Sequence, residues 1–302
     1  MIHCNNATPS IVLLRKLLLN DFPSGSSLEF YDNKLYLIGD DAKQILILDA
    51  DYNYLDSVTL FEGARLRIPK YKKADLEAST TIDKDGEVKI LVFGSAAVPN
   101  REVVFELSPG SAFHTIKTIS TAVFINRLKQ AGVTEINIEG AAVVKDALIL
   151  CNRANETNTI NQFIVTDQQF LYNQTESKIS IIAILLPSQK SISGISGLAY
   201  VAEKDLLLFT ASTELTGNAY DDGEIGDSYI GWIKNVSSKL RSTEMQPDGL
   251  VNLSEVSEEF AGEKIESICV EKFDDEAYSI HLVADNDRGD SRLFKVKFSM
   301  QQ

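Results

Sequence analysis

The chain is poor in the residues that most enzymes use for chemistry. Its three histidines are scattered: His3 lies in a tail, His114 ahead of an outer strand, and His281 inside an apolar run, so no Ser-His-Asp constellation is expected. The three cysteines, Cys4, Cys151 and Cys269, have no regular spacing, which excludes a disulfide framework. Cys151 and Cys269 sit in apolar strand contexts and are expected as buried free thiols. Neither His nor Cys recurs at a fixed interval, which argues against zinc, and no Gly-rich phosphate loop is visible. No apolar run reaches the length of a membrane span. The start, Met1 to Asn20, has no signal-peptide pattern, because Arg15 and Lys16 interrupt its leucine-rich stretch. A cytoplasmic location is the resulting expectation. Positive charge is short as well: 29 Lys and Arg face 43 Asp and Glu, for a net charge of −14. That balance opposes nucleic acid and anionic membranes as partners, since both need a basic footprint.

What the chain has is a repeat. Ser26-Ser27-Leu28, Glu77-Ala78-Ser79, Glu139-Gly140-Ala141, Ser196-Gly197-Leu198 and Glu266-Ser267-Ile268 each place Ser or Glu before a small residue. A second apolar run follows each copy about ten residues later, and the copies are 51, 62, 57 and 70 residues apart. A repeat of this length, built of strands and turns, is one propeller blade. The expected fold is therefore all-β: a single five-bladed β-propeller of four-stranded antiparallel blades, with six blades as the alternative. The blades are expected over 26–60, 77–119, 139–186, 196–253 and 266–299. The last runs out of chain before a fourth strand, so the apolar segment 11–19 is expected to add its outer strand and close the ring, with a short helix as the alternative for so Leu-rich a run. Turns are expected at Asp32-Asn33 and Asp85-Gly86, and one helix over Thr121 to Gln130, ended by Gly132.

In a propeller blade the first strand lies nearest the axis and the second returns antiparallel beside it. The repeated Ser or Glu and the corner after strand two therefore share one face. The corners read Asp40-Asp41, Ser95, Asn152-Arg153, Ser212 and Asp285-Asn286-Asp287. Such residues are also ordinary turn formers. The three repeated glutamates are different, because like charges converging on one narrow channel either raise their pKa values or take a counter-ion. A hard divalent cation, Ca²⁺ with Mg²⁺ as the alternative, answers the second case through Ser26, Glu77, Glu139, Ser196 and Glu266. A water-filled channel with protonated glutamates answers the first.

A basic cluster, Arg65, Arg67, Lys70, Lys72 and Lys73, precedes blade two in this acidic chain. Arg101 and Arg153 follow the second strands of blades two and three. Arg67, Arg101, Asn152 and Arg153 are thus candidates for holding a small anionic ligand at the mouth. Asp40, Asp41 and Asp285 are the candidate catalytic bases if the anion is hydrolysed. The stretch Thr213 to Asp227 reads as a long acidic loop over the same mouth, a lid, a second cation site or a plain insertion.

The order Ser, Glu, Glu, Ser, Glu, one residue per blade, resembles the calcium-activated nucleotidase (apyrase) family. That resemblance implies a five-bladed propeller with calcium in its central tunnel, bound here by Ser26, Glu77, Glu139, Ser196 and Glu266. Lys34-Leu35-Tyr36 followed by Asp40-Asp41 also looks like that family's first-blade phrase, with departures at Ser27 and Ala42. Ser196-Gly197-Leu198-Ala199-Tyr200 and Asn137-Ile138-Glu139-Gly140-Ala141 are similar to the bacterial propellers known as esterase-like phytases. This second likeness implies a phosphate-ester ligand. Three functions follow as expectations: a metal-dependent hydrolase of a small phosphate ester, a non-enzymatic ligand-binding or scaffold propeller with a structural ion, and a lactonase-type hydrolase of sugar acids.

Overall fold

The computed structural model describes residues 9–63, 67–110, 115–187, 193–215, 224–274, 277–285 and 289–300. Five sheets stand in sequence order around an axis. Blade one is Gly25–Tyr31, Lys34–Gly39, Gln44–Leu48 and Tyr54–Thr59, from axis to rim. Blade two is Leu76–Lys84, Glu87–Gly94, Val103–Ser108 and Thr115–Ser120. Blade three is Ile138–Val144, Ala147–Asn152, Asn161–Asp167 and Ser180–Ile184, to which the short strand Glu244–Met245 adds in parallel. Blade four is Ser193–Val201, Leu206–Leu215, Glu224–Lys234 and Gly249–Asn252. Blade five is Ile265–Asp274, Ala277–Asp285 and Ser291–Ser299, and its outer strand is Ser10–Leu19, antiparallel to Ser291–Ser299. The N-terminal segment thus closes the ring as a strand, and the fold is the five-bladed one.

The second strands are buried on both faces between blades, which is why they read as unbroken apolar runs: Leu35–Ile38, Leu148–Leu150 and Leu206–Phe209 are all at most 2% exposed. The hydrophobic core is correspondingly divided. Five clusters lie between successive blades, one and two, two and three, three and four, four and five, and five and one. Asp32 and Asn33 both take positive φ (51° and 57°), as do Asp85 and Gly86 (55° and 82°). This is the pattern of a type I′ hairpin, whose twist matches that of the strands it joins. Helix α1, Ala122–Gln130, fills the wedge between blades two and three with Phe124, Ile125 and Leu128, against Phe170 and Leu171.

One expectation is corrected. Much of Thr213 to Asp227 is strand: Leu206–Leu215 and Glu224–Lys234 pair out to Leu215↔Glu224, past a register shift between Ser212 and Glu214. The hairpin continues because the bulge takes up the extra residue and leaves the pairing beyond it intact. Asn218, Asp221 and Asp222 lie outside the described residues, as do Arg65, His3, His114 and Cys4.

The small residue after each repeated Ser or Glu has a steric cause. At that level the inner strands close on the axis: Ser27 Oγ meets Ser79 Oγ at 2.8 Å, and Ser267 Oγ accepts the Leu28 N–H at 3.2 Å. A methyl group on Gly197 would come within 2.7 Å of the Ser267 Cα and 2.8 Å of Thr210 Oγ1. Gly197→Ala is expected to cost about 1–3 kcal/mol in urea unfolding, because a neighbouring blade's backbone must shift to admit it. A change within about 0.5 kcal/mol would show that the constriction yields.

Candidate axial site

Every repeated residue sits at a β-bulge. The register of each inner strand against its second strand shifts between Gly25 and Ser27, Leu76 and Ala78, Ile138 and Gly140, Ile195 and Gly197, and Ile265 and Ser267. The skipped residues are Ser26, Glu77, Glu139, Ser196 and Glu266. A bulge releases one residue from the ladder and re-aims its side chain, and five in register re-aim five side chains at one level of the axis.

The corners are brought to the same level by another repeated device. The residue two before each repeat accepts, through its carbonyl, the N–H of the corner in its own blade. Asp40 donates to Ser24 at 2.9 Å, Ser95 to Asp75 at 2.8 Å, Arg153 to Asn137 at 2.9 Å and Asp285 to Lys264 at 3.1 Å. Blade four reaches the same alignment by ladder pairing of Gly194 with Ser212. Sequence reasoning missed Asp75 and Lys264, both of which prove central. Their signal is this offset, at which Ser24, Asp75, Asn137 and Lys264 carry polar side chains.

The three glutamates converge, but on unequal terms. Arg153 Nη1 lies 3.1 Å from Glu139 Oε2 and 3.5 Å from Glu266 Oε2, and its Nη2 donates to Ser212 Oγ at 3.1 Å. The guanidinium thus ties blades three, four and five together across the axis. It passes over blade four at Gly194, where a methyl group would fall 2.3 Å from Arg153 Nε. Glu139 also accepts from Asn137 Nδ2 at 2.7 Å, and Lys264 Nζ lies 2.9 Å from Glu266 Oε1. Glu77 has no hydrogen bond or ion pair among the described residues, although Asp75, Glu139 and Asp40 all act on it electrostatically. Burial first, and then those three carboxylates, push its carboxyl well above the usual range.

Beside Glu77 lies a second carboxylate group. One ligand oxygen each from Asp40, Asp75 and Glu77 lies within 4.8 Å of the others. Lys73 Nζ bridges Asp40 Oδ2 and Asp75 Oδ1, the latter at 2.7 Å. Asp75 Oδ2 accepts from Ser95 Oγ at 2.6 Å and from the Arg101 guanidinium. Asp40 Oδ1 is buried with no hydrogen-bond partner among the described residues. Burial, reinforced by Asp41 and Asp75 and opposed by Lys73, raises the Asp40 carboxyl to about 6.

The remaining candidates are placed as follows. Ser26 Oγ donates to the Leu76 carbonyl, and Ser196 Oγ to the Ile265 carbonyl at 2.8 Å. Both hydroxyls therefore stitch one blade to the next. Asn152, fully buried, bonds the Asn137 N–H, the Glu135 carbonyl and Gln162. Arg101 and Arg153, 2% and 6% exposed, serve buried ion pairs. Arg67 remains half-exposed; its Nε bonds Asp41 Oδ2 at 2.6 Å, and Asp40, Asp41 and Asp285 all raise its pKa. Asp40, Asp41 and Asp285 thus surround Arg67. His281 is fully buried between blades five and one, with Nδ1 3.0 Å from Tyr52 Oη and Nε2 3.2 Å from Glu271.

The sequence model of a family of unknown function, DUF6929, matches residues 21–298. No curated protein is similar to the chain in sequence. Among solved structures, the glutaminyl cyclase of Myxococcus xanthus aligns over 97% of this chain and 98% of its own, with a TM-score of 0.56 at 10% identity. A tail fiber of Staphylococcus aureus phage P68 aligns over 99% of this chain and 54% of its own (TM-score 0.49, 12% identity). A DUF4221 member from Bacteroides vulgatus aligns over 98% and 100% (TM-score 0.48, 10% identity). At such identities the cyclase supports the propeller fold and nothing finer.

Proposed function

Because the chain belongs to the DUF6929 family, whose function is unknown, we propose a function from its own side chains. It is a ligand-binding propeller that takes a divalent cation, calcium ahead of magnesium, in the Asp40–Asp75–Glu77 corner of its axial mouth. The observation that carries this reading is the imbalance among the ring glutamates. Glu139 and Glu266 have Arg153 and Lys264 in contact as counter-charges, while Glu77 feels only the longer-range charge of Lys73, whose ammonium is bonded to Asp40 and Asp75. Its neighbour Asp40 keeps one buried oxygen without a partner. Oxygen-only donors of this kind suit a hard cation, and calcium tolerates the irregular geometry that magnesium does not. The Ser26 and Ser196 hydroxyls donate to backbone carbonyls, which leaves their oxygen lone pairs able to face a cation, as the nucleotidase resemblance would have it.

Binding is preferred to hydrolysis because Arg101 and Arg153, which a phosphate clamp would need, are held by Asp75 and by Glu139, Glu266 and Ser212. Phosphate-ester turnover with calcium or magnesium that Asp40→Asn abolishes would reverse that preference.

The test is titration calorimetry with calcium chloride. The unaltered protein is expected to bind, and Glu77→Gln to bind at least about tenfold more weakly while remaining folded. The pH dependence has a definite sign. The Glu77 carboxyl is raised above its unfolded value of about 4.5, so without metal its contribution to stability is present below that value and is lost as pH rises through the folded one. Calcium, competing with the proton, should therefore raise the melting temperature more at pH 8 than at pH 5. Equal calcium responses at the two pH values, or in Glu77→Gln and the parent, would refute the site.

A further inference from the structure

The axis holds a second compartment. Beyond the constriction at Ser27, Gly140, Gly197 and Ser267, the inner strands of all five blades line a half-open cavity of about 210 Å³. Its level lies three residues past the repeated Ser or Glu, roughly 10 Å along the strands, so it is separate from the charged mouth. Each inner strand is the edge of its sheet. Backbone N–H and C=O groups on that edge have no strand partner and face the tunnel. Thr80, Thr81 and Tyr200 also line the wall.

One ionisable carboxyl group among the lining residues faces this space: Glu29. Its carboxyl takes the Phe30 backbone N–H and no side-chain donor among the described residues. Cys269, opposite, stays a neutral thiol, since burial, Glu29 and Glu271 push its pKa well up. The Tyr200 hydroxyl donates to Asp205 at 3.1 Å. The cavity therefore combines the half-buried Glu29 carboxyl, with no cation in contact among the described residues, backbone carbonyls, and room for several waters or one small molecule.

We propose that this lower cavity binds a small organic ammonium ion, its charged nitrogen on Glu29 and its short apolar body against Leu198 and Val143. An ammonium group offers several N–H donors that the edge carbonyls and the carboxylate can accept together. The lining is mostly polar, and Leu198 and Val143 supply the small apolar part against which a short carbon chain would rest. Burial also raises the Glu29 carboxyl to about 8, as befits an acid whose counter-ion arrives from outside.

The test is calorimetry at pH 9 with ethylammonium chloride, and potassium chloride as the control. Ethylammonium is expected to bind the unaltered protein, at least about tenfold more weakly to Glu29→Gln, and unchanged to Glu77→Gln, which separates this cavity from the mouth. In the unaltered protein, the side-chain carboxyl carbon resonance of Glu29 should shift at pH 8 toward its ionised position on adding ethylammonium. No binding by the unaltered protein, equal binding by Glu29→Gln, or potassium binding as tightly as ethylammonium would overturn the proposal.

Discussion

Arg153→Met is expected to lose about 3–5 kcal/mol of stability and to become more dependent on calcium than the parent protein. The cost of removing one partner from a buried ion pair is set by the charge left behind. Here one guanidinium serves two carboxylates, Glu139 and Glu266, and all three side chains are at most 11% exposed. Ser212 Oγ loses a donor as well. Lys264 still faces Glu266 and Asn137 still donates to Glu139, so the deficit is that of the shared Arg153 charge. A divalent cation supplied in the buffer can take up the negative charge left behind, so calcium should recover part of the loss. Arg153→Lys should fall between the two, since an ammonium is a point charge and cannot fork to span both acids. Urea unfolding with and without calcium measures all of this. A loss below about 1 kcal/mol would mean that solvent already screens these acids.

Removal of residues 1–20 is expected to abolish cooperative folding. Ser10–Leu19 covers the whole of Ser291–Ser299, from Ser10↔Ser299 to Leu19↔Ser291. Without it a nine-residue strand becomes a bare edge. The segment also contributes Ile11 to the cluster between blades four and five and packs Leu17 and Leu19 against that between five and one. Burying Ile11 is worth about 1.5 kcal/mol or more, and the partly buried Leu13, Leu17 and Leu19 add about half that apiece, against a total stability of about 5–15 kcal/mol for a domain. Near-ultraviolet circular dichroism and size exclusion report the outcome. A truncated protein that melts cooperatively within about 5 °C of the parent would show that the other sheets carry the ring without this strand.

Much of the fold was readable because blade periodicity is written in local chemistry. Two-sided burial makes second strands continuous apolar runs, and hairpin twist demands Asn, Asp or Gly, as at Asp32-Asn33 and Asp85-Gly86. The acidic stretch after Ser212 misled because its polar residues resemble a loop, whereas the bulge at Gly226-Asp227, opposite Thr213, lets the ladder continue. At the axis, the repeated Ser or Glu announced a convergence. That each is a bulge residue could not be seen, since a bulge is defined by its partner strand. Asp75 and Lys264 escaped notice because their importance depends on reaching across blades to Arg101 and Glu266.

The sequence by itself pointed to an all-β ring of repeated blades and to the gathering of acidic side chains at one end of the axis, because these follow from repeat spacing and strand alternation; that the blades number five, and that 11–19 closes the ring as a strand, came from the sheet pairing. Which acid meets which base was decided only by the tertiary structure. The sequence shows Arg153 as a residue after a strand, but the curvature of the ring and the bare backbone of Gly194 let it cross to Glu266. That crossing supplies Glu139 and Glu266 with a resident positive charge and leaves Glu77 without one in contact. Charge compensation depends on distances through space, and those are set by the closing of the ring.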